Sequence, residues 1–255
     1  MPLETEPAVD VSVVLPIHNE AGHIRTEVER IRAALDASSY SYEVIAVDDG
    51  STDGSAEELA TIDGLRILRF AQNRGSGSAR KAGTKAARGR VVVWTDVDMS
   101  YPNEEIPALV KELDAGWDQV VGARTSEQGS KRLIRQPTKW FLRKLASYLS
   151  STRIPDLNSG LRAFRRDVAT QFLYLLPAGF SCVTTITMTF LANGYSVRYV
   201  PIDYFPRSGD SKFHWWADTR RYLLQIVRLV LLYNPLRVFV PIGSVLMGAG
   251  LGKLA

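Results

Sequence analysis

Cysteine is almost missing from this 255-residue chain, which has one, Cys182, and histidine is scarce at three. A single cysteine excludes an internal disulfide and fits a reducing compartment. With no base near it in sequence, the thiol reads as buried and inert. His18, His23 and His214 lack the spacing of zinc ligands. There is no internal repeat and no low-complexity segment, which sets aside solenoids and arrays. A Walker A lysine motif is also lacking. Asn73-Arg74-Gly75-Ser76-Gly77-Ser78-Ala79-Arg80 falls short of the dinucleotide fingerprint because Arg80 stands where the third glycine belongs, and no acidic ribose ligand follows on the proper strand. The opening residues, Met1 to Asp10, carry Glu4, Glu6 and Asp10 and no apolar core. They read as a short disordered lead rather than a signal peptide.

What is present argues for a folded α/β protein. Hydrophobic residues make up 45% of the chain, enough for a sizeable core. The net charge is only +4, but the basic residues crowd the second half, from Lys131 to Arg166 and again from Arg220 to Arg237. That half should face phosphates or lipid headgroups; no nucleic-acid partner is expected. Short β-branched runs at Val11 to Ile17, Tyr42 to Val47, Leu65 to Phe70, Val91 to Thr95 and Gln119 to Gly122 predict strands. Between them, Ile24, Val28, Ile31 and Leu35 repeat at helical spacing, and helices are predicted at Ser55 to Ile62, Ser78 to Ala87 and from an Asn103 cap through Leu113. This alternation implies βαβ units and a mostly parallel sheet covered on both faces, whose ligands bind beyond the carboxyl ends of the strands. After residue 124 the pattern loosens. It gives a basic helical stretch from about Arg132 to Ser151, a polar turn at Asp156 to Gly160, a helix near Val168 to Leu175 and a strand at Ser196 to Pro201.

Three strand ends are polar. Asp96-Val97-Asp98 follows Thr95, Asp48-Asp49-Gly50-Ser51-Thr52-Asp53 follows Val47, and Pro16-Ile17-His18-Asn19-Glu20 closes the first strand. Two carboxylates one residue apart can share a hard divalent cation with the phosphates of a ligand. The 48–53 run has an ordinary reading too, since Ser51, Thr52 and Asp53 suit a turn and a helix cap. Three such clusters on one rim are more than turns require.

These clusters, in this order and spacing, resemble the GT-A glycosyltransferases of family 2. Asp156-Leu157-Asn158-Ser159-Gly160-Leu161-Arg162-Ala163-Phe164-Arg165-Arg166 and Arg207-Ser208-Gly209-Asp210-Ser211-Lys212 further resemble the dolichol-phosphate mannose synthase and polyprenyl-phosphate glycosyltransferase branch. The likeness spans roughly residues 11 to 235. It implies a Rossmann-like GT-A catalytic domain over 11–212 that transfers a hexose, with inversion, from a donor such as GDP-mannose or a UDP-hexose to a dolichyl or undecaprenyl phosphate. Pro16, His18, Glu20, Asp48 and Asp49 would line the nucleotide pocket. Asp96 would touch the ribose or sugar, and Asp96, Asp98 and Ser100 would hold Mg2+ or Mn2+, Ser100 standing where relatives place a longer Gln. His18 departs from the Tyr often found in its motif. Arg124, Ser159, Arg162 and Lys212 would receive the acceptor phosphate, with Arg124 and Arg207 joining Asp96 and Asp98 in catalysis.

The last segments point to a membrane. His214 to Tyr233 mixes Trp215, Trp216, Leu223 and Ile226 with Arg220, Arg221 and Arg228, the composition of an interfacial amphipathic helix over 213–234. Val238 to Leu251 carries no charge but is shorter than the about 20 residues a span needs, so 235–255 is expected to be the start of a truncated transmembrane segment. The basic flanks place the catalytic part on the cytoplasmic side. Two other readings compete: a family 2 enzyme acting on a glycan hydroxyl, which needs a carboxylate base, and an inactive nucleotide-sugar-binding protein, which Asp96 and Asp98 argue against.

Overall fold

The computed structural model describes residues 9–125, 140, 143–148, 150–179, 181–206 and 235–251. The chain divides into two compact units, residues 1–131 with 155–210, and residues 132–154 with 211–255.

The first unit is a seven-stranded sheet flanked by helices. Its elements run β1 (Val9–Ile17), α1 (Ile24–Asp36), β2 (Tyr42–Asp48), α2 (Ser55–Ala60), β3 (Arg66–Arg69), α3 (Ser76–Ala86), β4 (Gly89–Trp94), α4 (Ile106–Asp114), β5 (Gln119–Arg124), β6 (Arg162–Arg165), α5 (Arg166–Thr170), α6 (Cys182–Ala192) and β7 (Val197–Ile202). The sheet order is β3-β2-β1-β4-β6-β5-β7. All strands run parallel except β6, which is antiparallel to both β4 and β5. Ile17 pairs with Asp48, and Asp48 with Arg69, so the first three strands end level.

The central strands are apolar because both of their faces are covered. One core packs Val11, Val13 and Leu15 beneath Ile24, Val28, Ile31 and Leu35 of α1 and Leu109 and Leu113 of α4. The other packs Val14, Val92, Trp94 and Phe164 beneath Ala79 of α3 and Ile186 and Phe190 of α6. Trp94 and Phe164 meet edge to face at 4.9 Å. Each such fully buried side chain contributes on the order of 1.5–3 kcal/mol.

Up to residue 124 the expected elements stand within a few residues of their predicted places. Asn103 is a correction: it opens a 3-10 turn, Asn103–Glu105, without a side-chain cap, because its amide is turned into the core. The helix expected near Val168 to Leu175 is divided into α5 and a 3-10 turn, Leu173–Leu175. Two elements went unforeseen. β6 is four residues long with arginine at both ends, so it shows no apolar alternation. α6, CVTTITMTFLA, is buried from Cys182 through Phe190 and therefore lacks the polar face that marks a helix in sequence.

In the second unit, residues 143–148 are helical and Ala146 is buried. A 17-residue helix, Pro235–Leu251, with Pro241 inside it, exposes Leu236, Phe239, Val240, Ile242, Leu246 and Met247. Among the described residues no helix is long and apolar enough to cross a membrane. Arg207, Lys212 and the amphipathic helix expected over 213–234 lie outside the described residues.

Candidate active site

The carboxyl ends of β1, β2, β4 and β5 share one edge of the sheet, and reversed β6 begins there, with Arg162 opposite Trp94 and Val121. The loop entering β6 therefore meets the loops leaving its neighbours.

On the β1–β2 side, carboxylates are held by backbone N–H groups. Asp48, 4% exposed, accepts from the Ser51 amide at 2.9 Å. Asp49 accepts from the amides of Arg74 and Gly75 at 2.7 and 2.8 Å, which ties it to the loop before α3. Asp53 binds Ser55 and the Ala21 amide, the turn chemistry its position suggested. His18 lies 3.0 Å from the Asp49 carbonyl through Nδ1, the Glu20 amide donates to Ser55, and half-buried Pro16 pairs with Val47. Asn19 takes φ 55°, a left-handed turn that asparagine tolerates, and its side chain accepts the Thr52 amide. The glycines that suggested a dinucleotide loop serve packing. The amides of Gly77 and Ser78 at the start of α3 donate to the Ala178 carbonyl at 2.7 and 3.1 Å, and a side chain at Gly77 would collide with the Pro177 carbonyl.

At the centre, just beyond β4, stand Asp96 and Asp98. Asp96 is partly exposed and bonded to Nη2 of Arg80 at 2.5 Å. Arg80 comes from α3, is 2% exposed, and stacks over Trp94. Burial alone would lower this guanidinium's pKa; the Asp96 charge outweighs it and raises it. Asp98 is 6% exposed and accepts from the Ser100 hydroxyl and amide. Between them Met99 adopts φ 62°, a conformation that costs a side-chain-bearing residue about 1–3 kcal/mol and persists only where its surroundings fix it. Gly160 closes the loop against Asp96: a Cβ there would come within 2.5 Å of Oδ2. The Gly160 amide donates to the Tyr101 hydroxyl at 2.6 Å.

On the β6–β5 side the held groups are cationic. Arg124 grips Asp156 through Nε at 2.6 Å and Nη2 at 2.9 Å, both residues about nine-tenths buried, and its guanidinium lies over Tyr204. Burial would raise the Asp156 pKa, but the hydrogen bonds and charge of Arg124 hold it below the usual carboxylate value. Arg162 is wholly buried and donates to the carbonyls of Ser159 and Val183 and to the Thr187 hydroxyl. Its pKa falls to about 10, chiefly from burial. Cys182 is buried beside Arg80 and Arg162, and burial pushes its thiol up, away from the reactive thiolate.

The structure thus brings Asp48, Asp49, Asp96, Asp98, Arg124 and Ser159 to one edge and buries Ser100 and Arg162 fully. Ser100, fully buried, donates its hydroxyl to Asp98. Arg162 supports the Ser159 carbonyl from beneath, without reaching the surface. Sequence reasoning missed Arg80, which it treated only as the residue that spoils a glycine motif, and Asp156 as the partner of Arg124.

An open, mostly parallel sheet with this rim is the α/β architecture of a GT-A glycosyltransferase. The chain belongs to Glycosyl transferase family 2, whose sequence profile matches residues 12–173. Its relatives include the undecaprenyl-phosphate 4-deoxy-4-formamido-L-arabinose transferases of Aeromonas hydrophila, 31% identical over 94% of this chain and 73% of that protein, and Klebsiella pneumoniae, 32% identical over 97% and 76%. Among solved structures, glucosyl-3-phosphoglycerate synthase from Mycobacterium tuberculosis in complex with Mn2+ and uridine-diphosphate-glucose superposes with a TM-score of 0.69 at 23% identity, covering 87% of this chain and 79% of that one. The same enzyme with phosphoglyceric acid gives 0.68 at 21%, over 87% and 80%. These two superpositions bear on the fold alone.

Proposed function

We propose that this glycosyltransferase moves a sugar from a nucleotide-diphosphate donor, such as GDP-mannose or a UDP-hexose, to a polyprenyl phosphate of the undecaprenyl or dolichyl type, by a single displacement that inverts the anomeric carbon. The observation that carries this reading is the order of charge along the rim: carboxylates at β2 and β4, then buried arginines at β5 and β6. A nucleotide offers hydroxyl and N–H donors to the carboxylates at β2 and a diphosphate, through a cation, to Asp96 and Asp98 beyond β4. A phosphate acceptor is already an anion, so it needs no general base. The task left to the protein is to hold two anions in line.

Pro16, His18, Glu20, Asp48 and Asp49 form the nucleotide side, with Asp49 acting by fixing the 73–75 loop. Asp98, with Asp96, suits Mg2+ or Mn2+. Among the described residues no group of three His, Cys, Asp or Glu side chains could hold a metal ion. Two carboxylates are what an ion needs if diphosphate and water complete its shell. Bound there, the ion would supply positive charge to the departing diphosphate. Arg80 holds Asp96 in place. Arg124, oriented by Asp156, and the loop at Ser159, set from below by Arg162, form the acceptor side; Arg207 and Lys212 are assigned to closure over both phosphates by the family resemblance. The catalytic part works at the cytoplasmic surface of a membrane, a reading supported by the apolar side chains exposed on the helix Pro235–Leu251.

The test incubates nucleotide sugars with undecaprenyl phosphate and Mn2+, with and without EDTA. Metal-dependent formation of a lipid-phosphate sugar is expected; transfer to glycan hydroxyls with the lipid untouched would overturn the acceptor, and full transfer in EDTA would overturn the cation.

A further inference from the structure

Helix α1 turns five side chains fully inward, and four of them, Ile24, Val28, Ile31 and Leu35, are aliphatic. The fifth is Glu27, whose carboxylate is completely shielded from solvent. An apolar residue there would finish the helix face with no ion to desolvate, so packing does not account for the carboxylate.

Its contacts lead to the metal loop. One oxygen pairs with Nη1 of Arg30 at 2.5 Å, and Arg30 reaches outward to Glu104 at 2.6 Å. The other oxygen accepts from the Asn103 amide nitrogen. The Asn103 amide oxygen in turn accepts from the Thr95 hydroxyl at 2.6 Å. Both Asn103 and Thr95 are fully buried, and Thr95 is the residue before Asp96. A carboxylate that only accepts, an amide that accepts on one side and donates on the other, and a hydroxyl that donates give the relay one polarity. Burial raises the Glu27 pKa, opposed by Arg30 and Asn103, and Asp98 adds repulsion, so Glu27 and Asp98 are near enough for their charges to act on each other. In its ionised form the desolvated Glu27 carboxylate thus costs stability.

We infer that Glu27 is a positioning residue for the cation site: through Asn103 and Thr95 it fixes the end of β4, and its buried charge deepens the negative field in which Asp98 binds a divalent ion. The inference rests on the cation reading given above. A carboxylate spent on metal affinity differs from one spent on folding in the sign of what its removal does to stability.

The test titrates the purified full-length chain with Mn2+ alone, reading the free ion by EPR, and records Tm for each variant. Glu27→Gln is expected to weaken Mn2+ binding about tenfold while leaving Tm unchanged or higher. The apparent Mn2+ requirement for transfer should rise alongside, with the rate at saturating Mn2+ retained. Arg30→Gln, which removes the half-exposed counter-charge, is expected to tighten binding a few-fold, roughly the converse effect. This second variant keeps the test open should Glu27→Gln fail to fold. Asp98→Asn is the control. If Asp98→Asn abolishes binding while Glu27→Gln binds like wild type, or loses only Tm, the role given to Glu27 is wrong. Weaker binding in Arg30→Gln overturns it as well. If Asp98→Asn binds Mn2+ normally, the cation site itself is misplaced and Glu27 falls with it.

Discussion

The two halves of the sheet solve opposite problems with opposite chemistry. From β3 to β4 the rim presents anions, and each is anchored by donors: backbone amides for Asp48 and Asp49, a hydroxyl for Asp98, a guanidinium for Asp96. From β6 to β5 the held groups are cations, anchored by acceptors: a carboxylate for Arg124 at the rim and, buried beneath it, backbone carbonyls for Arg162. In neither half is the charged group left to a flexible surface chain. A charge held by neighbours of opposite polarity is already oriented before ligand arrives, which lowers the reorganisation that binding must cost.

That contrast can be broken in stages. The largest effect belongs to Asp98→Asn, which should reduce transfer by about a thousandfold or more, since it removes the carboxylate assigned to the ion facing the leaving group. Circular dichroism should show the fold intact, and near-wild-type turnover would remove Asp98 from the chemistry. Next comes Arg124→Met, which strands a buried Asp156 and should destabilise the first unit by about 3–5 kcal/mol, as read by urea unfolding. Changing Asp156→Asn in the same chain should restore much of the loss; no restoration would mean that the pair is not coupled. The same pair sets an acid limit. The folded Asp156 pKa lies below its ordinary value of 3.8. Its contribution is therefore present above that value and is lost as pH falls through the lower, folded one. Urea midpoints measured downward from pH 5 should show this loss in the wild type and not in the double variant.

Gly160→Ala sits between the halves. Its methyl would meet the Asp96 carboxylate, so transfer should fall roughly ten- to a hundredfold with a smaller loss of stability, as displacement of a catalytic group gives. Equal activity would mean the loop yields freely. The smallest effect is expected of Ser100→Ala: loss of one hydrogen bond to Asp98 should cost about 1–2 kcal/mol, seen as a modestly higher Mn2+ requirement. A complete loss of metal response would instead make Ser100 a direct ligand.

The first half was legible in the sequence and the second was not, for a physical reason. β1, β2 and β4 are apolar runs ended by acids, and α1 repeats at helical spacing, so local pattern and final environment agree. In the second half they diverge. α6 is rich in threonine and β-branched residues and shows no helical stripe in sequence, yet it is a helix, buried through most of its length, with back-bonds such as Thr189 to the Thr185 carbonyl. Arg162 looks like a surface cation and lies at the bottom of the site. Asp96 and Asp98 stand out in the sequence because they follow directly on an apolar strand, β4. Arg80 and Glu27 were passed over because nothing in helical spacing says whether a charged residue is buried.

The reversed strand also orders events during synthesis. The open edge of β4 is covered only when Arg162 to Arg165 arrive, long after β4 itself has left the ribosome. A nascent chain that had paired β3-β2-β1-β4 before then would hold an open β4 margin able to pair with a neighbouring chain. A product stopped before residue 162 is expected to sediment as aggregate through that margin, whereas one extended past Ile202 should stay dispersed.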